Sequence, residues 1–114
     1  MDEVLRQTLL FDFYGELLTE HQREVYEAVV QNDLSYSEAA EEFGVSRQGI
    51  HDLIKRSVKT LEEYETKLHL VERFLEIRAK AEQMLALSSH YEEIDVQFFA
   101  KQISSLSRQI LDEL

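Results

Sequence analysis

The stretch SYSEAAEEFGVSRQGIHDLIKR, residues 35–56, constrains the fold more than any other part of the chain. Ser35 precedes Glu38 at capping-box spacing, where the hydroxyl accepts from a first-turn amide and the acid reaches back to the cap N–H. Gly44 stands where a helix closes through a left-handed residue. Val45 is expected to plug the turn, and Ser46 to cap a second helix. A helix, a tight turn and another helix make a helix–turn–helix. In such a motif the first helix braces the second, whose N-terminal residues meet base edges in the major groove.

Little in the rest of the chain opposes helix. Proline is absent, and glycine occurs only at 15, 44 and 49. Glu, Leu, Ala, Gln and Lys are abundant, which favours an all-α fold. The first helix is expected over about residues 2–17. Val4, Leu5, Leu9, Phe11, Phe13, Tyr14 and Leu17 make it apolar on more than one side, as for an embedded helix. Thr19 and Gln22 form a capping box for the next helix, with Val25, Tyr26, Ala28 and Val29 facing inward, and Asn32 and Asp33 end it. From Ser46 to about Leu87 no residue clearly stops a helix, so one continuous helix and a break near residues 68–71 both remain open. Leu61, Tyr64, Leu68, Val71 and Leu75 recur in alternating steps of three and four, a coiled-coil-like seam. Ser89 and Glu92 suggest a further capping box for a last helix over about residues 90–113. Ile94, Phe98, Phe99, Ile103, Leu106 and Ile110 stripe that helix.

Charge bears on the choice of partner. The chain carries a net charge of -11, which opposes generic binding to polyanions. Yet within residues 46–60 Arg47, Lys55, Arg56 and Lys59 face only Asp52, a local excess of +3. That excess falls on the second helix of the motif. Ile50, Leu53, Ile54 and Val58 would pin this helix to the core, leaving Arg47, Gln48, His51, Asp52 and Lys55 outward. Arg47 can fork to a guanine edge or hold a phosphate, and Gln48 can pair with adenine. Ser46 and the helix N-terminus offer amides to a phosphate, and Lys55, Arg56 and Lys59 can add phosphate contacts. The expected nucleic-acid-binding set is therefore Ser46, Arg47, Gln48, His51, Asp52, Lys55, Arg56 and Lys59.

Other chemistry is thin. Cysteine is absent, excluding disulfides and thiolate metal sites. The histidines at 21, 51, 69 and 90 are too scattered to announce a metal site. No glycine-rich phosphate loop and no paired nucleophile and base stand at a recognisable motif. The expectation is a protein without cofactor or metal that is not an enzyme. No apolar run approaches the roughly 20 residues needed to span a bilayer, and the start of the chain lacks the basic opening of a secretory signal. The expected location is cytoplasmic.

The segment LLTEHQREVYEAVVQNDLSYSEAAEEFGVSRQGIHDLIKRSVKTLEEYE resembles region 4 of bacterial sigma factors. The shared elements are Leu18, Thr19, Gln22, Arg23 and Glu24, then Leu34 to Ala40, then the turn from Gly44 to Arg47. With the preceding LLFDFYGELLT and the VSRQGIHDLIKR variant, the chain is more similar to the YlxM family of helix–turn–helix proteins. The resemblance covers about residues 4–85. It implies DNA as partner, with base contacts at Arg47, Gln48, His51 and Asp52. It also implies a role in the signal recognition particle pathway, inferred for the family from gene neighbourhood. The alternative reading is an interaction module that binds the particle's GTPase or its RNA without reading DNA sequence. Asp52 departs from the sigma-type pattern, placing an acid where a DNA contact prefers a neutral or basic group.

The expected organisation is a helix–turn–helix head over residues 1–70 and a helical extension over residues 71–114, together forming a single domain. Two long apolar stripes exceed what a compact head needs. Leu61, Tyr64, Leu68, Val71 and Leu75, with Phe98, Ile103, Leu106 and Ile110, are therefore candidates for a homodimer interface. An intrachain hairpin turning near Ser88 and Ser89 would use part of the same surface.

Overall fold

The computed structural model describes residues 2–114. Every regular element among them is helical, and the fold is all-α, as expected. The helices are α1 (Glu3–Tyr14), α2 (Glu20–Tyr26), α3 (Tyr36–Phe43), α4 (Arg47–Leu68), α5 (Leu70–Ser89) and α6 (Val96–Glu113). They divide into two compact units, Met1–His69 and Leu70–Leu114.

In the first unit α4 is the common support, with α1, α2 and α3 each packed on it. Its buried stripe is Ile50, Leu53, Ile54, Ser57, Leu61 and Glu65, spaced at the three- and four-residue steps that bring side chains to one helix face. Leu10, Tyr14, Val25, Tyr26 and Ala39 complete the core from the other helices. Aromatic contacts tie these elements together. Phe11 stacks on Tyr26 with ring centroids 4.9 Å apart, and Tyr14 lies 6.0 Å from Tyr64. The buried polar atoms are matched: the Tyr14 hydroxyl donates to Glu65 Oε1 at 2.6 Å, and Ser57 Oγ donates to the Leu53 carbonyl at 2.8 Å. Burial pushes the Tyr26 phenol up to about 12, with the charges of Glu3 and Glu62 adding to the effect. Arg6 forks onto Glu62, one limb running from Nε to Oε1 at 3.0 Å.

The helix starts follow the local code. Thr19 with Gln22, and Ser35 with Glu38, form complete capping boxes, and Ser46 Oγ accepts from Gly49 N at 2.9 Å. Gly44 is left-handed at φ 66°, and its N–H and that of Val45 both reach the Ala40 carbonyl. Val45 does not plug the turn, for it is 40% exposed. Past Tyr26, α2 widens into a π-helical turn, Glu27–Gln31, before Asn32 and the left-handed Asp33 end it.

Elsewhere the sequence expectations need correction. α1 is embedded on one side only: Leu9, Leu10 and Tyr14 are buried, while Val4, Leu5 and Phe13 are exposed. It ends at Tyr14, and Gly15–Leu17 forms a 3-10 turn. Of the two readings left open past Ser46, the break near residues 68–71 is the one found: α4 ends at Leu68. His69 closes it in the left-handed conformation at φ 57°, its N–H on the Glu65 carbonyl. The run from Leu61 to Leu75 is thus divided between two helices. The capping box at Ser89 does not form, because Ser89 is still helical and its hydroxyl donates to the Leu85 carbonyl. A 3-10 turn over Tyr91–Glu93 follows, and Asp95 caps α6 by accepting from Gln97 N and Phe98 N.

The second unit is a hairpin of α5 and α6. Glu76, early on α5, reaches Glu113 at the end of α6, so the helices run antiparallel. Hydrogen bonding to Glu76 holds the Glu113 carboxyl above its ordinary value of 4.5, with burial and the charges of Glu76 and Glu72 adding and Arg73 opposing.

These features give three expected outcomes. Gly44→Val should lower stability by about 1 kcal/mol or more from left-handed strain, since a Cβ there meets nothing within 4 Å. A shifted urea midpoint would show it, and Gly44→Asn should shift it less. Tyr14→Phe keeps the ring but removes the donor to Glu65, and should cost ~1–2 kcal/mol in the same assay. For Glu113 the folded value lies above the unfolded one. Its contribution is therefore fully present below 4.5 and lost as pH rises through the folded value. Glu76→Gln should flatten that loss in urea midpoints measured from pH 4.5 toward neutrality.

Candidate nucleic-acid interface

Burial of the α4 stripe dictates what the opposite face shows. Ser46, Arg47, Gln48, His51, Asp52, Lys55, Arg56 and Lys59 are all exposed. They fall into adjacent rows at the four-residue spacing that makes side chains neighbours on a helix. Arg47, His51, Lys55 and Lys59 form one row, and Gln48, Asp52 and Arg56 form the other. The bracing arrangement expected for such a motif is present: Ile50, Leu53 and Ile54 are buried and Val58 is half-buried, while Ala39 of α3 is fully buried.

The polar groups of this face interact with one another. Gln48 Nε2 donates to Asp52 Oδ1 at 3.0 Å, and His51 Nδ1 lies 3.4 Å from the same oxygen. The Gln48 hydrogen bond, then that of His51, then the nearby charges of His51 and Arg56 hold the Asp52 carboxyl below the usual carboxylate range. Arg56 Nε also donates to the Asp52 main-chain carbonyl at 3.4 Å. The acid on this face is thus engaged by its neighbours along the helix. On the bracing helix Glu38 is likewise committed, its carboxylate accepting from Ser35 N at 3.1 Å, while Glu41 and Glu42 stay exposed.

At the start of α4, Tyr36, Arg47, Gln48 and His51 line an open concavity of about 420 Å³. The Tyr36 ring meets His51 edge-on, with centroids 6.0 Å apart. Tyr36 is not among the residues that the sequence assigned to this site. Its position directly after the Ser35 cap sets it beside the second helix, and that spatial neighbour has no signature along the chain. Gly49 lies one turn in, where a Cβ would come within 3.1 Å of Ser46 Oγ, so the glycine keeps the cap unobstructed.

The dimer candidates are distributed differently. Leu61, Val71 and Leu106 are buried, Tyr64, Leu75, Ile103 and Ile110 are half-buried, and Leu68 and Phe98 are exposed.

The capped turn, the braced second helix and the C-terminal hairpin define an all-α helix–turn–helix protein with a helical extension. Over residues 1–103 the chain matches the family model UPF0122, described as "Putative helix-turn-helix protein, YlxM / p13 like". It is 47% identical over 83 residues to a UPF0122 protein of Caldanaerobacter subterraneus subsp. tengcongensis, covering 73% of this chain and 71% of that one. A Thermoanaerobacter relative gives the same figures, 47% over 83 residues, 73% and 71%. A UPF0122 protein of Bacillus mycoides is 45% identical over 96 residues, covering 82% and 87%. The chain belongs to the UPF0122/YlxM family.

The cap can be tested apart from any ligand. Ser46→Ala removes the acceptor for Gly49 N and should destabilise the head by about 1 kcal/mol, read as a lowered urea midpoint.

Proposed function

We propose that the head reads duplex DNA through α4, and that the protein is a DNA-binding regulator taking part in the signal recognition particle pathway. The observation that carries the DNA reading is the exposed face of α4. Its cationic row of Arg47, Lys55 and Lys59 begins at a capped helix N-terminus and stands opposite a fully used core stripe. Arg47 and Gln48 sit at the N-terminal end, where a recognition helix meets bases, with His51 and Asp52 one turn on. Lys55, Arg56 and Lys59 lie further along, suited to phosphates. The pathway assignment rests on the gene neighbourhood of the YlxM family.

The exposed Asp52, Glu41 and Glu42 at this face favour a second reading, in which the head is an interaction module that docks on a protein, the particle's GTPase, without reading DNA. Pull-down from a lysate with and without deoxyribonuclease separates the two, since only DNA-dependent capture is lost with the enzyme.

For the groove-docking reading, Arg47→Ala should weaken specific binding by ~1–3 kcal/mol, while Lys55→Ala should weaken binding to all sequences and lower the salt slope by about 1. Anisotropy titrations at several salt concentrations measure both, and indifference to both changes would falsify groove docking.

A homodimer accompanies this reading. Leu68 on α4 is 45% exposed and, on the hairpin, Phe98, Leu85 and Leu111 are 51%, 67% and 69% exposed, and a second copy is the commonest cover for exposed apolar residues. Paired heads would present recognition helices to successive half-sites. Among the candidate interface residues, Leu68 on α4 and Phe98 on α6 are the exposed ones, while Tyr64, Leu75, Ile103 and Ile110 are half-buried. Sedimentation equilibrium at tens of micromolar should give the dimer mass, and a single monomeric species would exclude the dimer.

A further inference from the structure

Asp52 looks misplaced on a face meant for DNA, because its charge opposes phosphate. Its geometry suggests a different use. The carboxylate is exposed and engaged through Oδ1 by the Gln48 amide at 3.0 Å and by His51 at 3.4 Å. An ionised carboxylate only accepts hydrogen bonds. The neighbouring amide must therefore turn its NH2 toward Asp52, and Gln48 Oε1 cannot take that place. The Gln48 hydrogen bond itself favours the ionised form of Asp52.

That orientation leaves Gln48 with one free N–H and one carbonyl oxygen. Adenine presents N7 as acceptor and N6–H as donor in the major groove, whereas guanine presents two acceptors, N7 and O6. The remaining N–H and carbonyl of Gln48 match adenine. Against guanine, Oε1 would face O6, acceptor against acceptor.

We infer that Asp52 is a positioning residue that locks the Gln48 amide in the orientation that accepts adenine and rejects guanine. This rests on the DNA reading proposed above. Asp52 itself need not touch the base. It sets the choice made by Gln48, one helical turn before it.

The test is selection from a randomised duplex DNA pool, with the bound fraction sequenced, using the full chain and its Gln48→Ala, Asp52→Asn and Asp52→Glu variants. Circular dichroism melts check that each variant folds, and the exposure of both side chains makes large losses unexpected. The unmodified protein should enrich adenine at one position of its site, and Gln48→Ala should erase that preference. An Asn at position 52 can donate as well as accept, so Gln48 can reverse and offer two N–H groups to guanine. The adenine-to-guanine ratio at that position should then fall by about twofold or more, as the competent orientation loses population. Binding to the pool as a whole should rise, because a negative charge has gone from the face. Asp52→Glu reaches the same amide and should restore adenine.

Unchanged base preference in Asp52→Asn overturns the positioning role while leaving the DNA reading intact. So does loss of a cytosine preference instead, because that would mean Asp52 reads a cytosine amine directly. A pool from which the unmodified protein enriches nothing overturns the DNA reading, and this inference with it.

Discussion

The head depends on the apolar stripe of α4. Ile50, Leu53, Ile54 and Leu61 are the residues against which α1, α2 and α3 close. Each such side chain contributes on the order of 1.5–3 kcal/mol by leaving water. That is several times the worth of any exposed ion pair on the same helix. The polar members of the stripe do different work. Ser57 satisfies itself within the helix, while Glu65 and the nearby Glu62 bond across to Tyr14 and Arg6 of α1. Apolar contact brings the helices together, and these directional bonds select one register of α1 on α4. Because the stripe is fixed inward, the rows from Arg47 to Lys59 are fixed outward. Core and candidate site are two faces of a single helix, and a change that rotated it would spoil both.

The net charge of -11 and the cationic row are compatible once distance is considered. Charges separated by more than a Debye length, ~8–10 Å at physiological salt, hardly act on one another through solvent. The acids that matter are those beside α4. Asp52 is drawn into hydrogen bonds with Gln48 and His51, and Glu38 is spent on the capping box of α3. The remaining repulsion comes from exposed groups such as Glu41 and Glu42. Such a surface should bind a polyanion weakly and with a shallow salt dependence, because few phosphates are neutralised, leaving discrimination to a few contacts at the start of α4.

What could be read from the sequence was what is decided locally. The Thr19 and Ser35 boxes, the left-handed Gly44 and the Ser46 cap each need only a few residues at fixed spacing, and all stand as expected. The Ser89 box obeyed the same spacing and failed. A cap needs its residue in extended backbone, and Ser89 remains in the last turn of α5 while Asp95 caps α6. The end of α4 was ambiguous for a related reason. His69 takes a left-handed conformation that glycine normally signals, so the sequence carried no stop. The fold class was legible from composition and periodicity. Tyr36 beside His51 was not, because the two meet only after α3 and α4 have packed.

Asp52 shows the same limit at the level of a single side chain. By composition it subtracts one charge from a cationic face, which argues against nucleic acid. Placed four residues after Gln48 on a helix, it becomes the acceptor that decides which way an amide points. Specificity is a difference between affinities, and it is gained as readily by rejecting the wrong partner as by holding the right one. An acid that weakens the pull of phosphate lowers affinity for every sequence alike. An amide held in one orientation lowers it selectively for the base that would meet oxygen with oxygen. On the proposed DNA reading, a face with few cations cannot let phosphate contacts dominate, and that second effect would have the larger say in which sequence is chosen.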